Sequence, residues 1–368
     1  MSKRILHVVG RMDRGGTETM IMNLYRKIDR SKIQFDFMVH TDDICDYDNE
    51  IKELGGKIYH INRFTGLNIK SYIKDWIEFF SNHAEYTIIH GHIGSSASIY
   101  LRIAKKFGLF TIAHSHNTFN TEKSLKNFVY SLISYPTRYI SDFFFACSEQ
   151  AGIDRYGKNI INSSKFKVIN NAINAKEFSY CEKTRKVIRE QLGVKDRFVI
   201  GHIGRFSSQK NHKKLIEIFK EINKIDKKAI LLLVGDGELK QQIENKVIEL
   251  GLRENVIFAG VRTDISNIVQ AMDIFVFPSL YEGLGMVVIE AQAAGLPCIV
   301  SDAIQKEAYV TNFVKSISLK SDLDTWISEI LNYRNGYERK NNYYDIKTKG
   351  YDIDNTVEWI ENFYLQRR

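Results

Sequence analysis

Asp273-Ile-Phe-Val-Phe-Pro-Ser-Leu-Tyr-Glu282-Gly-Leu-Gly-Met-Val-Val-Ile-Glu290 is the stretch whose reading decides the fold. Ile274 to Phe277 are apolar without alternation, as expected of a parallel strand buried on both faces. Pro278 and the glycines Gly283 and Gly285 then open a turn, and the pattern predicts a helix from Met286 to Ala294 that Gly295 stops. Strand, glycine-hinged turn and helix together form the repeating unit of an α/β protein. Gly283 and Gly285 let backbone approach a ligand, and free N–H groups at a helix start suit an anion. Glu282 and Glu290, eight positions apart, can accept hydrogen bonds from hydroxyls on either side. A plain exposed turn with two solvated carboxylates would read the same way, so the rest of the chain has to decide.

Working outward, short apolar runs alternate with longer amphipathic ones. Strands are predicted at Arg4–Val9, Phe35–His40, Lys57–Ile61, Tyr86–His90, Phe110–His114, Asp142–Cys147 and Lys167–Asn170, with helices near Glu18–Ile28, Ile69–Asn82 and Ser96–Lys106 between them. The cadence restarts with strands at Phe198–Gly204, Ala229–Gly235, Asn255–Gly260, Asp273–Pro278 and Pro297–Ser301. At 368 residues the chain suits two such domains facing across a cleft. The expected division is 1–173 and 174–350, with a polar connection over Asn174–Lys195. A final helical segment, 351–368, is expected to pack back on the first domain, with Asp354 as its cap.

Composition excludes several classes. A hydrophobic fraction of 44% and a charged fraction of 26% are ordinary for a globular protein, and no apolar run is long enough to span a bilayer. The N-terminus enters a strand at once, without a signal-peptide core, so a cytoplasmic location is expected. Cys45, Cys147, Cys181 and Cys298 are scattered, which predicts buried reduced thiols and neither a zinc site nor a disulfide framework. The net charge of +8 includes a local excess from Arg102 to Arg138, interleaved with aromatics such as Phe107 and Tyr135. That mixture suits an anionic membrane surface or a pyrophosphate-bearing acceptor, or else a core helix with solvated lysines. No basic recognition motif points to nucleic acid.

Further motifs fall at predicted strand ends, where open α/β sheets bind ligands. Gly15-Gly16 follows the first strand, and Thr17-Glu18-Thr19 is expected to cap the next helix; neither dinucleotide nor Walker spacing is present. Arg205 and Lys210, five residues apart, suit a leaving diphosphate, because fixed cations stabilise developing phosphoryl charge. His114 and His116 stand at i and i+2 without an obvious third ligand, and Asp46-Tyr-Asp48 sits in an acidic loop, so no metal is expected. One histidine hydrogen-bonding a ligand sugar is the preferred use, a satisfied structural histidine the alternative.

These motifs resemble glycosyltransferase family 4, retaining enzymes of GT-B fold, and the branch that builds capsular and extracellular polysaccharides. Gly15-Gly16-Thr-Glu-Thr, Ala113-His-Ser-His-Asn117, Ala146-Cys-Ser-Glu149, Gly204-Arg-Phe-Ser-Ser-Gln-Lys-Asn211, Val234-Gly-Asp-Gly-Glu238 and Phe277-Pro-Ser-Leu-Tyr-Glu-Gly-Leu-Gly285 occur in the family order over essentially the whole chain. The resemblance implies transfer from a nucleotide sugar, usually a UDP-sugar, to a lipid-linked saccharide, without cofactor or metal, by a protein peripheral on the inner face of the cell membrane. It gives Arg205 and Lys210 the diphosphate, and the backbone of Gly283, Leu284, Gly285 and Met286 the phosphate and sugar. Glu282 takes sugar hydroxyls, Glu290 the ribose, and Gly260-Val-Arg262 the base. Gly15 and Gly16 touch donor and acceptor, and His114 touches the transferred sugar. Leu284 stands where many relatives carry phenylalanine, a departure that bears on donor choice. A UDP-sugar 2-epimerase and a non-catalytic sugar-nucleotide-binding subunit are the competing readings.

Overall fold

The computed structural model describes residues 2–116 and 132–367. The chain divides into two compact units, one of residues 1–173 with 352–368, the other of residues 174–351.

The first unit contains β1 (Lys3–Val9), β2 (Ile33–Val39), β3 (Ile58–His60), β4 (Ile88–Gly91), β5 (Phe110–Ser115), β6 (Phe143–Ala146) and β7 (Phe166–Val168). Every pairing is parallel, in the order β3-β2-β1-β4-β5-β6-β7. The order reverses between β1 and β4, so the carboxyl ends of those strands flank the crevice where doubly wound sheets take ligands. One face carries helices Ile69–Asn82 and Ala97–Lys106, whose Tyr72, Trp76, Phe80, Tyr100 and Leu101 are buried on it. The opposite face is closed by helix Gly16–Lys27 and by the last helix, Ile353–Leu365, through Met20, Ile21, Val357, Ile360, Phe363 and Tyr364.

The second unit contains β8 (Val199–Ile203), β9 (Ile230–Val234), β10 (Val256–Phe258), β11 (Ile274–Phe277), β12 (Cys298–Ser301) and β13 (Val314–Ile317), again all parallel, ordered β10-β9-β8-β11-β12-β13. Its order reverses between β8 and β11. Helix His212–Ile225 buries Leu215, Ile216, Phe219 and Ile222 against this sheet.

Several expectations are corrected. The polar stretch 174–195 is not an open connection: it holds helices Ala175–Phe178 and Glu182–Gln191, both within the second unit. Arg185 and Arg189 of the longer helix both pair with Asp273, whose other bonds include the backbone N–H of Val199 at 2.7 Å. Buried arginine anchoring leaves no apolar period to read. The last helix is capped by Asp352, which accepts from the N–H of Asp354, rather than by Asp354. Helix Gly16–Lys27 starts earlier than predicted, with Gly15 at its N-cap and no capping side chain. Cys45 and Cys298 are buried and all four thiols are free, but Cys181 is exposed. Among the described residues no helix is long and apolar enough to cross a membrane.

Candidate active site

The reversal of strand order in the second sheet brings the loop after β8 beside the loop after β11. Three backbone-directed bonds staple them together. Leu280 donates its N–H to the Gln209 carbonyl at 2.8 Å, and Gln209 Nε2 donates to the Tyr281 carbonyl at 2.9 Å. Asn211, left-handed at φ 54°, donates from Nδ2 to the Pro278 carbonyl at 3.0 Å. Between the staples Lys210 Nζ meets Glu282 Oε1 at 2.6 Å, with only 15% and 8% of the two side chains exposed. The same ammonium lies 4.7 Å from the centre of the Phe277 ring, a cation–π contact from below. Lys210 and Glu282, 72 positions apart, thus form one neutralised pair held by a rigid loop frame.

The backbone beside that pair is open. Gly285 adopts φ 80° as the N-cap of helix Met286–Ala293, which no side chain caps. A Cβ on Gly283 would meet nothing within 4 Å. The helix is apolar nearly all round and therefore buried, with Val288, Ile289, Ala291 and Ala293 fully covered. Its one fully buried polar side chain, Gln292, is satisfied on both ends, donating to the Val288 and Ala308 carbonyls and accepting from Val310 and Thr311. Glu290 retains partial surface contact at the residue level, while its carboxyl lies deep enough that burial pushes its pKa up to about 7.

The remaining predicted groups of this unit stand nearby in sequence but hold other partners. Arg205 is exposed and pairs with Glu238 at 3.2 Å. Arg262 forms a two-pronged bond with Asp264, at 2.7 and 2.6 Å, so its guanidinium is committed locally. The loops after β8 and β9 are in backbone contact: Gly204 donates to the Val234 carbonyl, and Gly235 to that of Gly260. At Gly235, φ is 136° and a Cβ would lie 2.1 Å from the Gly204 carbonyl oxygen, so only glycine lets these loops meet.

In the first unit Gly15 and Gly16 open a helix without a capping side chain, while a Cβ on Gly15 would strike Glu18. Thr17, immediately after them, lines a cavity of about 140 Å³ together with Gly94, His114, His116 and Arg155. His114 is not alone. The order β1-β4-β5 sets His7, His90, His92, His114 and His116 side by side in two files. In one, Tyr364 Oη meets His90 Nδ1 at 2.6 Å and His90 Nε2 meets His114 Nδ1 at 3.2 Å. In the other, His7 Nδ1 meets His92 Nε2 at 3.0 Å and His92 Nδ1 meets His116 Nε2 at 2.7 Å. Burial drives all five imidazoles far below their usual pKa, to about 3 for His7 and His116. His114 Nε2 and His116 Nδ1 are buried without a partner among the described residues.

The expectation that the histidine pair lacks a third nitrogen is thereby overturned, since His92 joins His114 and His116, and His7, His90 and His92 form a second triplet. Ring geometry nevertheless fits hydrogen-bonded files better than metal chelation. His114 and His116 stack with centroids 4.0 Å apart, so their in-plane lone pairs run side by side instead of converging. The 2.7 Å between His92 and His116 is a direct N–H···N distance, whereas two nitrogens on one tetrahedral zinc stand about 3.3 Å apart. Asp46 and Asp48 accept from backbone, Asp46 from the N–H of Arg14 in the loop after β1 and Asp48 from that of Cys45 in its own loop.

Sequence reasoning missed His7, His90, His92, Tyr364 and the staple residue Gln209. A signal existed for two of them: His90-Gly-His92 repeats the i, i+2 spacing of His114-Ser-His116, and period two puts both pairs on one strand face.

Two doubly wound parallel sheets, each with polar side chains gathered at its switch point, are the architecture of the GT-B glycosyltransferases. The chain belongs to glycosyltransferase family 4: the Glycosyltransferase Family 4 model matches residues 14–177 and the Glycosyl transferases group 1 model residues 184–333. It is 32% identical over 372 residues to EpsF of Bacillus subtilis (strain 168), a protein named for glycosyltransferase activity, covering 98% of this chain and 96% of that one. It is 27% identical to a UDP-Gal:alpha-D-GlcNAc-diphosphoundecaprenol alpha-1,3-galactosyltransferase of Escherichia coli, over 76% of each chain. Among solved structures, HepE of Anabaena in complex with UDP and glucose superposes with a TM-score of 0.77 at 18% identity, over 98% of this chain and 99% of that one, which speaks to fold.

Proposed function

We propose that this glycosyltransferase moves a sugar from a UDP-sugar to a lipid-linked oligosaccharide in capsular or extracellular polysaccharide synthesis. It does so with retention of configuration and without a catalytic metal. The observation that carries the reading is the Lys210–Glu282 pair, stapled beside an uncapped, glycine-opened helix start. Within the pair each charge neutralises the other. An arriving diphosphate competes for Lys210, which frees Glu282 to accept from sugar hydroxyls, so phosphate binding and sugar gripping are coupled in one exchange. The helix N-terminus and Gly283 backbone add N–H groups for phosphate, and Arg205 needs only to leave an exposed pairing with Glu238 to join them. Glu290 is assigned to the ribose hydroxyls and the Gly260–Arg262 backbone to the base.

In transfer, the bond from the anomeric carbon to the diphosphate oxygen breaks and the acceptor oxygen bonds to that carbon on the same face. The acceptor proton passes to the departing phosphate oxygen. Lys210 and Arg205 stabilise charge that grows on the diphosphate, which is where fixed cations accelerate the reaction. The galactosyltransferase relative, named for a diphosphoundecaprenol acceptor, supports a lipid-linked acceptor here; HepE, crystallised with UDP and glucose, supports the UDP class.

Membrane contact is assigned to 102–138, of which residues 117–131 lie outside the described residues. In the described part Phe107, Leu132 and Tyr135 are exposed, while Lys105 pairs with Asp142 and Arg138 lies over the Tyr135 ring, so the charge free for lipid is smaller than the sequence suggests.

Lys210→Ala and Glu282→Gln are expected to lower transfer from a UDP-sugar by about 10²-fold or more, with a chelator leaving the wild type unchanged. Wild-type turnover in either variant sinks the assignment. Donor alone, incubated with the enzyme, should yield at most slow hydrolysis; a new sugar nucleotide would instead establish the epimerase reading.

A further inference from the structure

The histidine file that begins at Tyr364 has a direction. Tyr364 is fully buried, and its phenol, His90 and His114 are bonded in series at 2.6 and 3.2 Å. Burial keeps the phenol protonated and both imidazoles uncharged. A neutral imidazole carries a single N–H and can donate on one side only. Two arrangements therefore exist. In one, the phenol donates to His90 Nδ1, His90 donates from Nε2 to His114 Nδ1, and the His114 proton sits on Nε2. In the other every bond is reversed, His114 donates from Nδ1, and the phenol receives a hydrogen bond while its own hydrogen needs a second acceptor. Among the described residues the Tyr364 hydroxyl meets His90 alone. The first arrangement also has one open N–H, on His114 Nε2, but it lies at the wall of the cavity, where a ligand oxygen can accept it, whereas the reversed arrangement leaves the phenol hydrogen open in the core and the His114 Nε2 lone pair unused as well, and is disfavoured for that reason.

We infer that Tyr364 is a positioning residue that acts through His90 to fix His114 as the Nε2–H tautomer, so that His114 offers a hydrogen-bond donor to the cavity it lines with Thr17 and Arg155. His114 Nε2, without a partner among the described residues, is the open end of the file. This rests on the reading that His114 meets the transferred sugar, and it deepens that reading. The sugar oxygen accepts, His114 donates, and His114 is not a base that collects the acceptor proton. A hydroxyl on the last helix thus sets the chemistry of a residue 250 positions earlier in the chain, from the positions of Tyr364 and His114.

Long-range 15N spectra of the full-length, histidine-labelled protein test the file directly, with His114 and His90 assigned through H114Q and H90Q. The wild type should show His114 protonated on Nε2 and bare on Nδ1; a proton on Nδ1 overturns the inference. Tyr364→Phe should shift the His90 and His114 nitrogens and lower kcat about tenfold while UDP affinity is retained, and unchanged nitrogens in that variant also overturn it. If the spectra behave as expected but His114→Ala transfers at the wild-type rate, the file stands and the sugar contact of His114 falls. The two readings therefore fail separately.

Discussion

Glu290 shows how much a single residue can hold in reserve. Its carboxyl, raised from 4.5 to about 7 by burial, binds more protons in the folded chain than in the unfolded one across that interval. Folding stability therefore falls as pH rises from about 4.5 to 7 and stays lower above it. Glu290→Gln should be more stable than wild type at pH 8 by roughly 1–3 kcal/mol, with the gap closing toward pH 5. If the ionised carboxylate accepts from ribose, UDP binding should tighten between pH 6 and 8 in the wild type and stay flat in the variant. Thermal melts and UDP titrations at both pH values measure this, and a gap that ignores pH would refute it. At this scale the sequence showed Glu282, Glu290, Lys210 and His114 as chemistry-bearing groups at strand ends. It could not show that Lys210 and Glu282 neutralise each other, or that Arg262 is spent on Asp264, because those partnerships depend on rotamers and loop staples. His90 and His92 were legible in principle, as a second i, i+2 pair; Tyr364 was not, since nothing local ties it to a histidine 274 positions away.

At the level of elements, apolar runs located the twelve predicted strands to within a few residues, because buried parallel strands write themselves as Val, Ile, Leu and Phe. β13 escaped for the opposite reason: Val314-Lys-Ser-Ile317 is an edge strand with two exposed polar positions. Helix Glu182–Gln191 escaped because Ile188 is its only buried aliphatic side chain, and its anchoring falls to guanidinium groups that reach the Gln270–Met272 carbonyls and the Asp273 carboxylate. Asp273 receives both arginines and the Val199 N–H, so Asp273→Ala would take the shared carboxylate from two mostly covered cations at once and leave them backbone carbonyls alone as hydrogen-bond acceptors. We expect a loss of about 3 kcal/mol, read from urea unfolding of the second unit. A loss below about 1 kcal/mol would mean that water rescues the arginines and that the anchor is superficial.

For the molecule as a whole, the recurrence of strand and helix was enough to give the α/β class and two parallel sheets, while strand order had to come from the structure. Order is what turns the motifs into sites: both switch points, β1/β4 and β8/β11, receive their loops from segments far apart in sequence. The first unit is also built from both ends of the chain. Ile353, Val357, Ile360, Phe363 and Tyr364 are buried in it, and at about 1.5–3 kcal/mol for each such side chain their burial is comparable with the whole stability of a domain. Deleting residues 352–368 should therefore unfold the first unit and leave the second intact, seen as loss of one of two calorimetric transitions; two surviving transitions would contradict it.

That construction also has a consequence during synthesis. The ribosome delivers residues 174–351 before it delivers the helix that closes the first sheet, so the first unit is begun before the second and closed after it. At cellular elongation speeds the nascent chain carries an unfilled apolar seam for roughly ten to thirty-five seconds. Until its final turn emerges from the exit tunnel, the file that orients His114 has no phenol at its head.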